Sequence, residues 1–196
     1  MDRVIDPHHK LKYTWWVQWM ISSQKRRFGK PLEPLLYWGR TSRAFLGFLW
    51  MLSAFKRKKS PIPKTLQALV RLRISQLLHC PFCIDMNLSE AYQMGLSPEK
   101  MEALPHYQTS PLYNEDEKLV LNYAQAVIQS DKQRIPEYQR HLKKIFDDDG
   151  IIELTALVSH QAMSALFNSA LGIKPHGFCQ LKKDSRGDQL AVGTGP

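Results

Sequence analysis

Residues 63–95, PKTLQALVRLRISQLLHCPFCIDMNLSEAYQMG, decide the fold. Leu66, Leu69, Val70, Leu72, Ile74, Leu77 and Leu78 recur mostly at three- and four-residue steps, the period of a helix face. Pro63 fits the first turn of that helix, where a missing N–H costs nothing. The pattern breaks at His79-Cys80. Pro81 then restarts a helix as a first-turn residue, and Ile84, Leu88, Ala91 and Tyr92 carry it to Gly95. The stretch therefore reads as two helices joined by a tight break, with Cys80 and Cys83 at the junction.

Cys80 falls at the N-cap or first position of the second helix and Cys83 about one turn in, so their sulfurs can meet. Free backbone N–H groups and the positive end of the helix dipole favour a thiolate there. Helix N-termini and C-x-x-C spacing lower a thiol pKa from about 8.5 toward 7 or below. Such a pair supplies an attacking thiolate and a partner that closes a disulfide. By position Cys80 is expected to be the more exposed, and either sulfur could attack first. In a reducing compartment a pair of this kind is redox-active rather than structural. Two rivals are weighed against it. Both cysteines could serve as small buried apolar side chains. Alternatively they could share zinc with His176 and Cys179, although a structural zinc site usually draws on a second cysteine pair. Neither a metal nor an organic cofactor is expected.

Outward from this junction the period stays helical and strand signals are poor, so an all-α fold is predicted. An opening helix is placed at about Lys12 to Lys25, stopped by Gly29 and Pro31. A second covers Pro34 to Arg57 in one or two pieces. The loop Lys58 to Pro63 separates a helical extension (1–60) from the body (61–181). Ser97-Pro98-Glu99 opens a short helix. Asn114 and Glu117 form a capping-box pattern for Glu115 to Gln129. Pro136 is expected to start a helix to Phe146. Asp148 or Asp149 is expected to cap a last helix, Ile151 to Leu171, apolar on most sides and so central. Residues 182–196, rich in Gly, Lys and Asp, read as a mobile tail.

The 196 residues carry a net charge of +9, and the charge is unevenly placed. Residues 1–60 hold 13 Lys and Arg against 3 Asp and Glu; residues 61–196 hold 14 against 15. All five tryptophans, Trp15, Trp16, Trp19, Trp38 and Trp50, also lie in the basic third. The apolar run Ala44 to Phe55 is short of the roughly 20 residues that cross a bilayer and too deep for a signal peptide, so a cytoplasmic protein is expected.

The run Leu69-Val70-Arg71-Leu72-Arg73-Ile74-Ser75-Gln76, followed by Cys80-Pro81-Phe82-Cys83-Ile84-Asp85-Met86-Asn87, resembles the carboxymuconolactone decarboxylase family, and within it the AhpD-like alkylhydroperoxidase branch. Ser110-Pro111-Leu112-Tyr113 and the helix from Glu153 through Ile173 are similar to the same family. The resemblance covers about Leu66 to Cys179. It implies an AhpD-like helical fold built on an antiparallel helix pair, assembly into homo-oligomers, and a cysteine pair that reduces hydroperoxides and is regenerated by an external thiol or dithiol. It also implies a proton relay of an upstream glutamate and a histidine four residues after the second cysteine. Those positions fall on Ala68 and Asn87. Asn exchanges no proton near neutral pH, so Asn87 is assigned to orienting water or substrate. His160, midway along the last helix, reads as a satisfied core histidine or as the replacement base, and Glu153 as its orienting group or as a solvated first-turn acid. His79 is a loop residue whose cationic form would favour the Cys80 thiolate.

The expected function is a thiol-dependent antioxidant enzyme reducing hydroperoxides or exchanging disulfides through Cys80 and Cys83. The rival from another class is a non-enzymatic oligomeric scaffold or membrane-surface module; a lactone decarboxylase is a further alternative. Trp15, Trp16 and Trp19 beside Lys25-Arg26-Arg27 suit weak contact with a membrane surface. Covering the core or a subunit interface is the preferred role for these aromatics. No nucleic-acid partner is expected.

Overall fold

The two helices read from residues 63–95 form a hairpin. The computed structural model describes residues 4–6, 12–57, 59–178, 181–183 and 190–192. In it α4 (Lys64–Leu77) and α5 (Pro81–Gln93) pack along each other. Contacts step away from the turn on both sides, Ser75 meeting Asn87 and Arg71 meeting Glu90, so the pair is antiparallel. The turn is closed by His79, whose φ of 48° is the left-handed conformation that ends many helices. The Cys80 N–H reaches back to the Ser75 carbonyl at 3.0 Å. Pro81 stands in the first turn of α5, where it forfeits no hydrogen bond.

The other elements surround this hairpin. α1 (Trp15–Phe28), α2 (Glu33–Trp38), a 3-10 turn (Gly39–Thr41) and α3 (Ser42–Phe55) come before it. α6 (Pro98–Glu102), α7 (Glu115–Gln129), α8 (Arg134–Leu142) and α9 (Asp148–Ala170) follow it. The main core joins α4, α7 and α9 through Leu69, Leu72, Leu121, Tyr123, Leu154 and Leu157. α9 packs against α3, α4, α5 and α7, which makes it the central helix. Among the described residues it is the one helix long and apolar enough to cross a membrane, and its packing accounts for that apolarity. A second cluster surrounds the cysteines, and a third joins Val17, Leu35, Trp38 and Phe45 of the first three helices.

Several helix boundaries follow from caps. Asn114 and Glu117 make the full reciprocal capping box of α7. α8 starts at Arg134, ahead of Pro136, because Asp131 Oδ1 accepts from the N–H groups of Gln133 and Arg134 at 3.2 and 3.1 Å. α9 is capped by Asp147, not by Asp148 or Asp149: its Oδ1 takes the Gly150 N–H at 2.8 Å. Pro34 to Arg57 forms two helices rather than one, divided by the 3-10 turn. Gly39 in that turn lies so close to α1 that a Cβ would sit 2.6 Å from Val17. Where the segment 182–196 reads as a mobile tail, Leu181–Lys183, which begins one residue before it, and Leu190–Val192 pair as a short antiparallel ribbon, Leu181 opposite Val192.

Candidate functional site

Cys80 is the N-cap of α5, and its Sγ accepts the Cys83 N–H at 3.2 Å, as a serine or aspartate cap would. One turn of helix brings the two Cα atoms to 5.2 Å, and the sulfurs are joined in a disulfide. The expected exposure of Cys80 is corrected: Cys80 is 0 % exposed and Cys83 3 %. Tertiary cover explains the difference. Tyr37 from α2, Ala165 from α9 and Ile173 beyond it pack on the pair, with Phe167, Leu171 and Phe178 around them.

The cover is fastened to the cysteine helix itself. Asp85, two residues after Cys83, turns Oδ2 to three successive backbone N–H groups, those of His176, Gly177 and Phe178, at 2.8, 2.8 and 3.1 Å. Three N–H groups converging on one carboxylate oxygen form an anion nest with charge-assisted bonds. His176 also accepts the Glu33 N–H through Nε2 at 3.4 Å and lies edge-on to Phe82. The chain before α3 and the chain after α9 thus close over the disulfide together. Burial lowers the His176 pKa from its ordinary 6.5.

Behind the cysteines a buried polar row links α4, α5 and α9. Asn87 Nδ2 donates to Ser75 Oγ at 2.8 Å, Gln161 Nε2 donates to the same oxygen at 3.1 Å, and Ser75 donates to the Arg71 carbonyl at 2.8 Å. Arg71 is buried and pairs with Glu90 at 3.3 Å. Burial lowers the Arg71 pKa, and the Glu90 carboxylate opposes that shift. Asn87 is therefore held as a hydrogen-bond donor in a fixed orientation. Ala68 is buried in the main core.

His160 lies 3 % exposed against α3, its Nε2 3.3 Å from the Phe48 carbonyl and its ring stacked on Phe48 at 4.4 Å. A carbonyl partner puts the proton on Nε2, and burial lowers the pKa from 6.5, so the ring is neutral. The pairing of Glu153 with His160 is not found. The Glu153 carboxylate accepts from Ser60 Oγ at 2.6 Å and forms an ion pair with Arg57. His79 is exposed at the turn. The proposed zinc partner Cys179 lies outside the described residues. Among those residues, no three His, Cys, Asp or Glu side chains gather as a metal site.

Asn168 was not singled out in the sequence. It is 2 % exposed on α9, and its Nδ2 lies 3.3 Å from Cys83 Sγ. Its Oδ1 is buried with no hydrogen-bond partner among the described residues. No local signal marks an asparagine in an apolar helix as a sulfur contact, because 85 residues separate the two. Asn168 also lines a cavity of about 200 Å³ between the first three helices and the body. Trp38, Phe48, Leu49 and Leu52 line it on one side, and Phe82, Met86, Asn87, His160 and Gln161 on the other.

Residues 40–126 match the carboxymuconolactone decarboxylase family. The uncharacterized protein YnjA of Escherichia coli K12 is 32% identical over 157 residues, covering 80% of this chain and 86% of YnjA. The chain belongs to the carboxymuconolactone decarboxylase family. Among solved structures of this architecture, an uncharacterized peroxidase-related protein from Silicibacter sp. TM1040 superimposes with a TM-score of 0.76 at 15% identity, covering 89% of this chain and 92% of that one. A Cys→Ala variant of the debrominase Bmp8 in complex with 2,3,4-tribromopyrrole superimposes at 0.72 and 19% identity, covering 88% and 93%. At these identities the likeness establishes the AhpD-like helical fold of this family member and leaves the chemistry to the site itself.

Proposed function

We propose that the protein reduces hydroperoxides, or exchanges disulfides, through Cys80 and Cys83. The observation that carries this reading is the Cys80–Cys83 disulfide at the start of α5, where helix N–H groups favour thiolates. One thiolate attacks the terminal oxygen of ROOH: an S–O bond forms, the O–O bond breaks, and the alkoxide leaves as ROH after taking a proton. The other thiol displaces water from the sulfenic acid and closes the disulfide. An external dithiol returns two electrons and two protons.

Neutral His160, the Asn87 amide and the Asn168 amide are the polar groups offered to this chemistry in place of the relay glutamate and histidine. His160 is the one of this set able to accept a proton, through Nδ1, but it stands eight residues along α9 from Asn168, about 12 Å of helix rise, so it reaches the cysteines only through intervening groups. Peroxide consumption with dithiothreitol as reductant tests the proposal. Wild-type protein is expected to turn over, and Cys80→Ser and Cys83→Ser are each expected to lose activity by at least about a hundredfold. Equal rates in all three would overturn it.

A second reading concerns the exposed aromatic surface. Trp15, Trp19 and Trp50 are 81, 69 and 78 % exposed in the basic third of the chain, whereas Trp38 is buried. Large exposed aromatics beside cations suit the headgroup region of an anionic membrane. Salt-sensitive cosedimentation with phosphatidylserine vesicles, lost in Trp15→Ala/Trp19→Ala, would support surface contact. Binding insensitive to both salt and substitution would remove it.

A further inference from the structure

We infer that Asn168 sets the redox poise of the cysteine pair by donating its amide N–H to the thiolate of Cys83, a bond stronger in the reduced protein than in the disulfide. The inference rests on the reading of Cys80 and Cys83 as a reversible dithiol, and it asks nothing of the oxidant.

The chemistry of the contact comes first. Asn168 Nδ2 lies 3.3 Å from Cys83 Sγ. Among the described residues the donors that reach the two sulfurs are this amide and the Cys83 N–H, which goes to Cys80 Sγ. A disulfide sulfur carries no hydrogen, so it only accepts, and weakly. A thiolate carries a full charge, and hydrogen bonds to a charged partner are roughly twice as strong. Reduction therefore strengthens the contact, and the contact in turn favours the reduced, ionised state.

The cost of an asparagine at this position is the second observation. Asn168 is 2 % exposed, and its Oδ1 is buried without a partner among the described residues. An orphaned buried oxygen lowers the stability of a fold. In native proteins such atoms mark stored strain or a redox or catalytic role. Leucine has the same branched shape and would carry no such cost. The sulfur beside Nδ2 gives the amide its use.

The surroundings are the third. Tyr37 of α2, Ala165 and Phe167 of α9, and Leu171, Ile173 and Phe178 beyond it pack around the pair, and none of them carries a charge at neutral pH. The titratable groups on these elements have partners of their own. Tyr37 donates its hydroxyl to the Ile5 carbonyl at 2.9 Å, Asp85 accepts from residues 176–178, and His176 accepts from the Glu33 N–H. Lys30 and Glu33 act on His176, and His79 is exposed at the turn. The Cys83 thiolate thus relies on dipoles, those at the start of α5 and the Asn168 amide.

Two titrations test this without peroxide. The first follows thiolate ultraviolet absorbance against pH in Cys80→Ser/Cys179→Ser, where Cys83 is the single thiol and serine keeps the N-cap of α5. Asn168→Ala and Asn168→Leu are each expected to raise the Cys83 pKa by about one unit, a tenfold loss in acid dissociation. In Cys83→Ser/Cys179→Ser the same changes are expected to leave the Cys80 pKa in place. Circular dichroism reports that each variant folds.

The second titration equilibrates the otherwise wild-type protein and both Asn168 variants with dithiothreitol. The Cys80–Cys83 bond breaks, dithiothreitol closes into its cyclic disulfide, and two electrons and two protons pass to the protein. About two units above the wild-type Cys83 pKa, that thiol releases its proton to solvent. There each variant is expected to favour the disulfide about tenfold more, or about 30 mV. About two units below that pKa both thiols keep their protons, and the difference is expected to vanish.

A Cys83 pKa unmoved or lowered by both substitutions would overturn the inference. A shift in Asn168→Ala alone would do the same, since it assigns the effect to packing. So would a change in poise of equal size at both pH values. A poise that follows Asn168 in a protein consuming no peroxide would retain the inference and reject the proposed peroxide reaction.

Discussion

Asp85, two residues after Cys83, ties the segment that covers the disulfide to the cysteine helix itself. Its carboxylate gathers three N–H groups of residues 176–178 and so holds the C-terminal segment over the disulfide. Hydrogen bonds to a charged group contribute about 1.5–3 kcal/mol. Asp85→Asn is therefore expected to loosen the cover and speed disulfide reduction by dithiothreitol about tenfold, followed by timed alkylation of the freed thiols. An unchanged rate would mean that the segment does not gate access.

His160 gives a second prediction at this scale. Its folded pKa, like that of His176, is depressed below 6.5 by burial. Above that value both folded and unfolded states are neutral and stability is complete. As pH falls through 6.5 the unfolded state takes up protons that the folded state refuses, so stability is lost. The melting temperature is expected to drop between pH 7 and 5, and His160→Gln to flatten part of that slope. A slope unaffected by the substitution would place the titration elsewhere.

At the scale of elements, the hairpin of α4 and α5 was legible because its signals are local. Apolar period, Pro81 in a first turn and a break at His79-Cys80 all lie within a few residues of the feature they report. The capping box of α7 was legible for the same reason. The starts of α8 and α9 fall a few residues earlier than the proline or later acids suggest, because Asp131 gathers the Gln133 and Arg134 N–H groups in the turn leading into α8 and Asp147 caps α9.

Cys80 was expected to be exposed because helix position says nothing about residues 37, 165 and 173, which fold over it. The Ser75 hub was equally hidden, since its partners are 12 and 86 residues away. Ser75→Ala leaves Asn87 and Gln161 without their shared acceptor and is expected to cost about 2 kcal/mol, measured by urea denaturation. A cost below about 0.5 kcal/mol would mean that the row is satisfied in another way.

For the molecule as a whole, family membership was readable from the cysteine segment, whereas the cavity was not. It is assembled from α1, α2 and α3 on one side and α4, α5 and α9 on the other, and no single stretch encodes it. Assembly is a question at this scale too. Ile152, Met163 and Leu166 are 65, 41 and 57 % exposed along α9, an apolar face of the kind homo-oligomers bury. Met163→Glu/Leu166→Glu is expected to lower the mass found by light scattering if this face joins copies of the chain. An unchanged mass would exclude it.

The redox competence of Cys80 and Cys83 is tested most directly by thiol counting on the fully reduced protein during reaction with one equivalent of cumene hydroperoxide. The chain has three cysteines. The account predicts that two thiols disappear together as a Cys80–Cys83 disulfide, identified by peptide mapping, with one peroxide consumed per chain and Cys179 still free. Peroxide added without loss of the Cys80 and Cys83 thiols, or loss of one thiol with no disulfide between them, would contradict it.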